Sequence, residues 1–234
     1  MYKSILKLLA SIVFLATFSV SAQTLVGELP GEFSVNNLGA ASYMVPLNVS
    51  PGTAGMEPKL AVNYSSRGDN GILGVGFSLG GLSAITRGGA SLDQDGFIDG
   101  VDFDDNDRFL LDGQRLEIVA LDGTPTTDKD YYGDAGSEYR TEIDSFSRVI
   151  AYGQSGNGPA SFKVWTKSGL IYEYGNTTDS SFEPGTHPEV LSWAVNKISD
   201  TAGNYMTFTY TQTSAGPQIS RIDYTGNAAA LLIP

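Results

Sequence analysis

Three short stretches carry residue types whose spacing could do chemistry. Gly76-Phe77-Ser78-Leu79-Gly80 fits the G-x-S-x-G pattern. In hydrolases that pattern places a serine on a sharp turn between a strand and a helix, with its hydroxyl presented to a base. The base would have to be His187, the one histidine of the chain, which lies between Thr186 and Pro188 in a Pro- and Gly-rich stretch. Many acids lie between the two, so chain order alone does not test a triad. The residues after the serine argue against an elbow. Gly80 and Gly81 are poor helix residues, and Leu82, Ala84 and Thr86 alternate with Ser83, Ile85 and Arg87 as in a strand. These glycines are expected to serve tight turns and close backbone packing. A secreted serine hydrolase centred on Ser78 is kept as an alternative.

The second stretch runs from Ser91 to Asp102. It sets Asp93, Asp95, Asp99 and Asp102 at positions 3, 5, 9 and 12, with Gly96 at 6 and Ile98 at 8. Alternate oxygens around a glycine turn are how a twelve-residue loop wraps calcium. Position 1 is Ser, position 12 is Asp where a bidentate Glu is usual, and no flanking helices are evident. Calcium bound somewhere in 93–107, with these four carboxylates as candidate ligands, is the one cofactor suggested; an acidic hairpin loop is the alternative. Asp104, Asp105 and Asp107 come directly after. The third stretch, Arg67-Gly68-Asp69, is the tripeptide that integrins bind, and a turn in SSRGDNG explains it equally well. It leaves a surface adhesion module, with or without calcium, as a further alternative. Gly74, Gly76 and Gly80 miss the dinucleotide spacing, and no Gly-Lys-Ser/Thr comes after them. With no cysteine, thiolate catalysis and Cys-based zinc sites are excluded.

The elements that would position these residues read as strands. Tyr43, Val45, Leu47 and Val49 fall on one face of an extended stretch, and Leu60, Val62 and Tyr64 on one face of another, with the turn region Pro51 to Gly55 between them. Hairpins are expected about Asp112-Gly113, about Ser168-Gly169 and about residues 199–204, with a further strand in ISRIDYTG. With 28 Gly, 12 Tyr and 11 Phe, the composition suits short half-buried strands joined by frequent turns. The expected fold is all-β: many short antiparallel strands and hairpins forming a curled sheet or sandwich. Residues 122–138 are the most loop-like interior segment. The abrupt AAALLIP ending suggests an unfinished sheet with an open, pairing-prone edge.

The first 22 residues have Lys3 and Lys7, an apolar stretch from Leu8 to Val20, and small residues ending at Ala22. This is the pattern of a secretory signal peptide. It leaves residues 23–234 as one β-rich domain with no membrane span in the mature chain, exported from the cell. The net charge of −12 becomes −14 once Lys3 and Lys7 are removed. Such a surface repels phosphate backbones and excludes nucleic acid as a partner.

The stretches GEFSVNNLGAASYMVPLNVSPGTAGMEPKLAVNYSS, GDNGILGVGFSLGGLSAITR, DRFLLDGQRL, EYRTEIDSFSRVIAY, SFKVWTKSGLIYEYG, WAVNKISDTAGNYMTFTYT and ISRIDYTGN succeed one another in the order of a known family. The chain resembles the SpvB-type amino-terminal domain family, the region shared by the virulence-plasmid B protein and the B component of insecticidal toxin complexes. The resemblance implies a β-rich segment related to the Rhs and YD-repeat shells, which in toxin complexes form a hollow cocoon around a toxic polypeptide. It also implies that GVGFSLG, where the family typically carries Trp in place of Phe77, is a structural signature. Partners would be other toxin-complex or Rhs-like chains. The ADP-ribosyltransferase activity of one family member belongs to a separate downstream domain, and no E-x-E motif that could carry it occurs here. The family region normally runs beyond the last residue of this chain, so truncation at the C-terminus is expected. The expected function is that of a secreted, non-enzymatic structural module in toxin assembly or encapsulation.

Overall fold

A computed structural model describes residues 30–120, 131–185 and 187–228. The expected signal peptide and residues 229–234 lie outside the described residues. The chain forms β1 (Glu32–Val35), β2 (Ala41–Pro46), β3 (Ala61–Ser65), β4 (Asn70–Gly71), β5 (Gly74–Val75), β6 (Phe77–Gly80) and β7 (Ala84–Gly88). A single helical turn, α1 (Leu92–Asp95), comes next. Then come β8 (Arg108–Leu111), β9 (Gln114–Ala120), β10 (Glu138–Thr141), β11 (Arg148–Tyr152), β12 (Ser161–Trp165), β13 (Ile171–Tyr174), β14 (Ser181–Phe182), β15 (Ser192–Ser199), β16 (Asn204–Thr213) and β17 (Gly216–Asn227). Every pairing described is antiparallel. The all-β expectation holds.

The curled sheet closes on itself. The order β13-β12-β11-β10-β9-β8-β7-β15 returns through a β15–β13 pairing, so eight strands make a ring. β15 bridges it: Ser192 to Ala194 pair with β7, while the stretch from Val195 onward pairs with β13. An eight-stranded barrel is just wide enough for side chains to fill, and alternation supplies them. Ile85, Phe109, Leu116, Tyr139, Val149, Phe162, Val164, Trp193 and Val195 are buried together. Phe109 meets Tyr139, Phe162 and Trp193 edge to face, at centroid distances of 6.2, 5.3 and 5.5 Å. Beyond the ring, β16 and β17 form a long hairpin hung on the second half of β15.

The expected hairpins form where the turn residues placed them. Asp112 and Gly113 take φ of +50° and +81° between β8 and β9, as a type I′ pair must. Part of the expected 122–138 loop falls outside the described residues; in the rest Tyr131 and Asp134 stay exposed while Tyr132 turns inward. Tyr132 is buried, donating its hydroxyl to the Leu116 carbonyl and accepting from Phe109 N–H.

Ahead of the barrel stands a separate four-stranded sheet in the order β1-β2-β3-β6. Its register aligns Phe33, Tyr43, Tyr64 and Phe77 in one row and Val45, Val62 and Leu79 in another. Neighbouring positions alternate faces, so Glu32, Ser34, Ser42, Asn63 and Ser78 lie on the opposite side. One face is apolar and the other mostly polar, with Met44, Pro46 and Ala61 among its residues.

Candidate functional site

Ser78 lies inside β6, opposite Asn63 of β3 and exposed. The chain runs from β6 into β7, another strand, and no helix comes directly after the serine. The lone imidazole is engaged elsewhere: His187 stacks on Phe103 at 4.7 Å and lies 3.6 Å from Glu189. The local frame of a nucleophile elbow is missing, because strand–turn–strand replaces strand–turn–helix. The glycines explain the motif instead. Gly76 has φ +79°, and a Cβ there would sit 2.7 Å from the Ser65 carbonyl oxygen and 2.8 Å from the Tyr64 ring. Gly81 has φ +93°, and its Cβ would lie 1.9 Å from the Lys59 carbonyl oxygen. The motif lets backbones cross closely where the sheet turns toward the barrel.

Of the four carboxylates singled out for calcium, Asp99 and Asp102 converge while Asp93 and Asp95 lie elsewhere. Asp95 closes α1 and its side chain is buried against the outer wall of the barrel, where Arg108 and Arg115 reach it at 2.9 and 2.6 Å. Both arginines alternate with inward Phe109 and Leu116, so they project outward, toward α1. Burial alone would push the Asp95 carboxyl up. The Ser91 N–H and the two guanidiniums outweigh burial and hold it at about 2. Asp93 is exposed on α1. Asp99 and Asp102 come together with Asp104, which lies beyond the twelve-residue pattern but within the 93–107 stretch, with ligand oxygens within 4.8 Å of one another. Asp99 also accepts from Gly100 N–H, and Asp104 accepts from Asn106 through its backbone and side-chain amides. Arg67 and Asp69 are exposed on the turn after β3, whose Gly68 N–H donates to the Ser65 carbonyl.

Sequence reasoning missed the charged plug at one end of the barrel. Arg87 takes the inward position after Ile85 on β7 and is buried with Asp107 at 3.0 Å. It also donates to the Val190 and Asn157 carbonyls and lies over Phe103, Phe109 and Trp193. Burial pushes the Asp107 carboxyl up, against the opposing pull of Arg87. The available signal was an arginine at an apolar-phase strand position, which a buried partner must accompany.

At the opposite end the ring is open. The β8–β9 and β12–β13 turns surround a cavity of about 780 Å³. Its walls include Leu82, Val164, Leu170, Tyr172, Ile198, Met206 and Phe208, with Ser83, Asp112, Gln114 and Thr141 among its polar groups.

Comparison with known proteins bears on this architecture. The family described as "Salmonella virulence plasmid 65kDa B protein", SpvB, matches residues 35–224. Mono(ADP-ribosyl)transferase SpvB of Salmonella typhimurium (strain 14028s / SGSC 2262) is 28% identical over 203 residues, 82% of this chain and 32% of that protein. Its counterpart from Salmonella dublin matches to the same extent. The chain therefore spans about a third of the length of these curated relatives. The fold is shared with the N-terminal domain of effector protein SpvB from Salmonella typhimurium strain LT2, at TM-score 0.60 and 24% identity over 79% of this chain and 65% of that one. It is shared also with the TcdB2-TccC3 crystal structure, at TM-score 0.63 and 17% identity over 86% of this chain and 11% of that one. With most of its described length inside the family match and its fold held in common, the chain belongs to the SpvB family.

Proposed function

We propose that the chain is a secreted, non-enzymatic structural module that assembles with larger β-rich chains of the toxin-complex or Rhs type. The observation that carries this reading is the apolar face of the four-stranded sheet, exposed on its edge strands and half-buried at Tyr43, Val45, Val62, Tyr64 and Leu79. Phe33, Val35 and Phe77 are 68%, 58% and 40% exposed. A sheet with one apolar face needs a second layer to bury it. With strands ~4.8 Å apart and ~3.3 Å per residue, the face spans roughly 300–400 Å². That is about half of the ~800 Å² that each partner brings to a stable interface, so the face suits one contact within a larger assembly. The fold match supports the same reading, since the TcdB2-TccC3 chain carries this fold as 11% of its length. The outer edge of β17, which among the described residues pairs with β16 alone, offers a further place for a strand to add.

Purification of the tagged chain from its source after cross-linking tests this. A larger toxin-complex-type or Rhs-like chain should be recovered with the wild type and lost with Phe33→Lys/Phe77→Lys. The opposite-face substitution Ser78→Lys should leave recovery intact. A chain recovered alone, or equal recovery from the apolar-face variant, would remove the reading.

A second reading concerns calcium. The convergence of Asp99, Asp102 and Asp104 favours a weak cation site at the α1 corner, and extracellular modules bind calcium at about 10⁻⁴ to 10⁻³ M. Calorimetric titration should show heat in that range that Asp102→Asn/Asp104→Asn abolishes. No heat at millimolar calcium removes this reading.

A further inference from the structure

We infer that the open mouth of the barrel is a binding site for an apolar small molecule, neutral or cationic, that carries an N–H donor. The proposal does not rest on the assembly reading. Eight-stranded barrels hold either packed side chains or one small ligand, and this one does both along its axis. Phe109, Phe162 and Trp193 fill the end that Arg87 and Asp107 close. Beyond them opens the cavity of about 780 Å³, walled also by the loop between β2 and β3 at residues 54–59 and by Met206 and Phe208 of β16. That volume lies in the range of small-molecule pockets, which favour barrel mouths.

The chemistry of the walls selects the ligand. Leu170, Tyr172, Ile198, Met206 and Phe208 make one wall apolar and partly aromatic. Asp112 stands at the rim as an exposed carboxylate that the structure holds in place. Its Oδ2 accepts from the Ser83 hydroxyl at 2.7 Å and its Oδ1 from Ala84 N–H at 2.9 Å. Ser83 Oγ lies 2.8 Å from the Tyr174 hydroxyl. With its own proton given to Asp112, Ser83 is left to accept from Tyr174. An ionised carboxylate has about four acceptor positions, so Asp112 keeps capacity for a ligand donor. Glu57, Asp112 and Asp200 against Lys59 give the lining a net charge of −2, which turns anions away.

Fluorescence titration of the full chain with N-phenyl-1-naphthylamine, a neutral arylamine with one N–H, tests the site. Saturable, blue-shifted emission is expected. The anionic relative 8-anilinonaphthalene-1-sulfonate should bind about tenfold more weakly, and Asp112→Asn should narrow that ratio about fivefold. Leu170→Trp and Thr166→Trp, which fill the cavity from two different positions, should each weaken the arylamine about tenfold, with circular dichroism confirming the fold. Phe33→Ser, on the separate sheet, should leave binding unchanged. Arylamine binding that survives both tryptophans, that disappears with Phe33→Ser, or that the sulfonate matches in affinity would overturn the proposal.

Discussion

Asp95 shows how one side chain can look like a ligand and act as a fastener. It accepts from two arginines on neighbouring strands while its own side chain is buried. Asp95→Ala would leave both guanidiniums without their buried anion, and such losses cost about 3–5 kcal/mol. Chemical denaturation should register that as a lowered midpoint with an unchanged slope. The pH dependence has a definite sign. The folded carboxyl sits at about 2, below the ~3.9 of an unfolded Asp. Its contribution is therefore complete above about pH 4 and fades as pH falls toward 2. Melting curves of Asp95→Asn should be flatter across that window than those of the wild type. Ser78 makes the opposite case. Ser78→Ala removes an exposed hydroxyl and should change stability by less than about 0.5 kcal/mol. Gly81→Ala places a Cβ against the Lys59 carbonyl at positive φ and should cost about 2 kcal/mol or more. If the serine variant were the damaging one, the structural reading of the motif would fail.

Strands and turns were legible where a local rule decides them. The alternation of Tyr43 with Val45 and of Val62 with Tyr64, and the Asp112-Gly113 pair, are satisfied within a few residues of the chain. The closure of the ring was not legible, because it depends on β15 pairing with β13 on one side and β7 on the other. Those contacts join residues far apart in sequence, and no short pattern encodes them. The arrangement of the acidic stretch was hidden for a related reason. Spacing could bring Asp93, Asp95, Asp99 and Asp102 together, but Arg108 and Arg115, from later strands, take Asp95 away. The four-stranded sheet carries its own prediction. It is one layer thick and adds none of its strand residues to the barrel core, so its hydrogen bonds should open at low local cost. Hydrogen exchange should find the amides of β1, β2, β3 and β6 exchanging about 100-fold faster than those of β11 and β12. Equal protection would mean that the apolar face is already covered.

At the scale of the molecule, charge and hydrophobicity are segregated. Residues 30–83 carry Glu32, Glu57 and Asp69 against Lys59 and Arg67, a net of −1, while the whole chain carries −12. The nearly neutral part holds the apolar face, and most of the acid lies in the barrel portion. Two copies meeting face to face would bury too little area to form a stable dimer, and would bring two acidic barrels near each other. Repulsion of that kind reaches ~30 Å at 0.01 M salt and only ~3 Å at 1 M. Charge on one part of the molecule can thus keep an apolar face on another part soluble and available for a different partner. Sedimentation velocity should show a monomer at low salt, with weak self-association emerging near 1 M. Phe33→Lys should abolish that association and Ser78→Lys should leave it unchanged. A stable dimer at low salt would mean that the face is built for its own copy, and that heterologous assembly must use another surface.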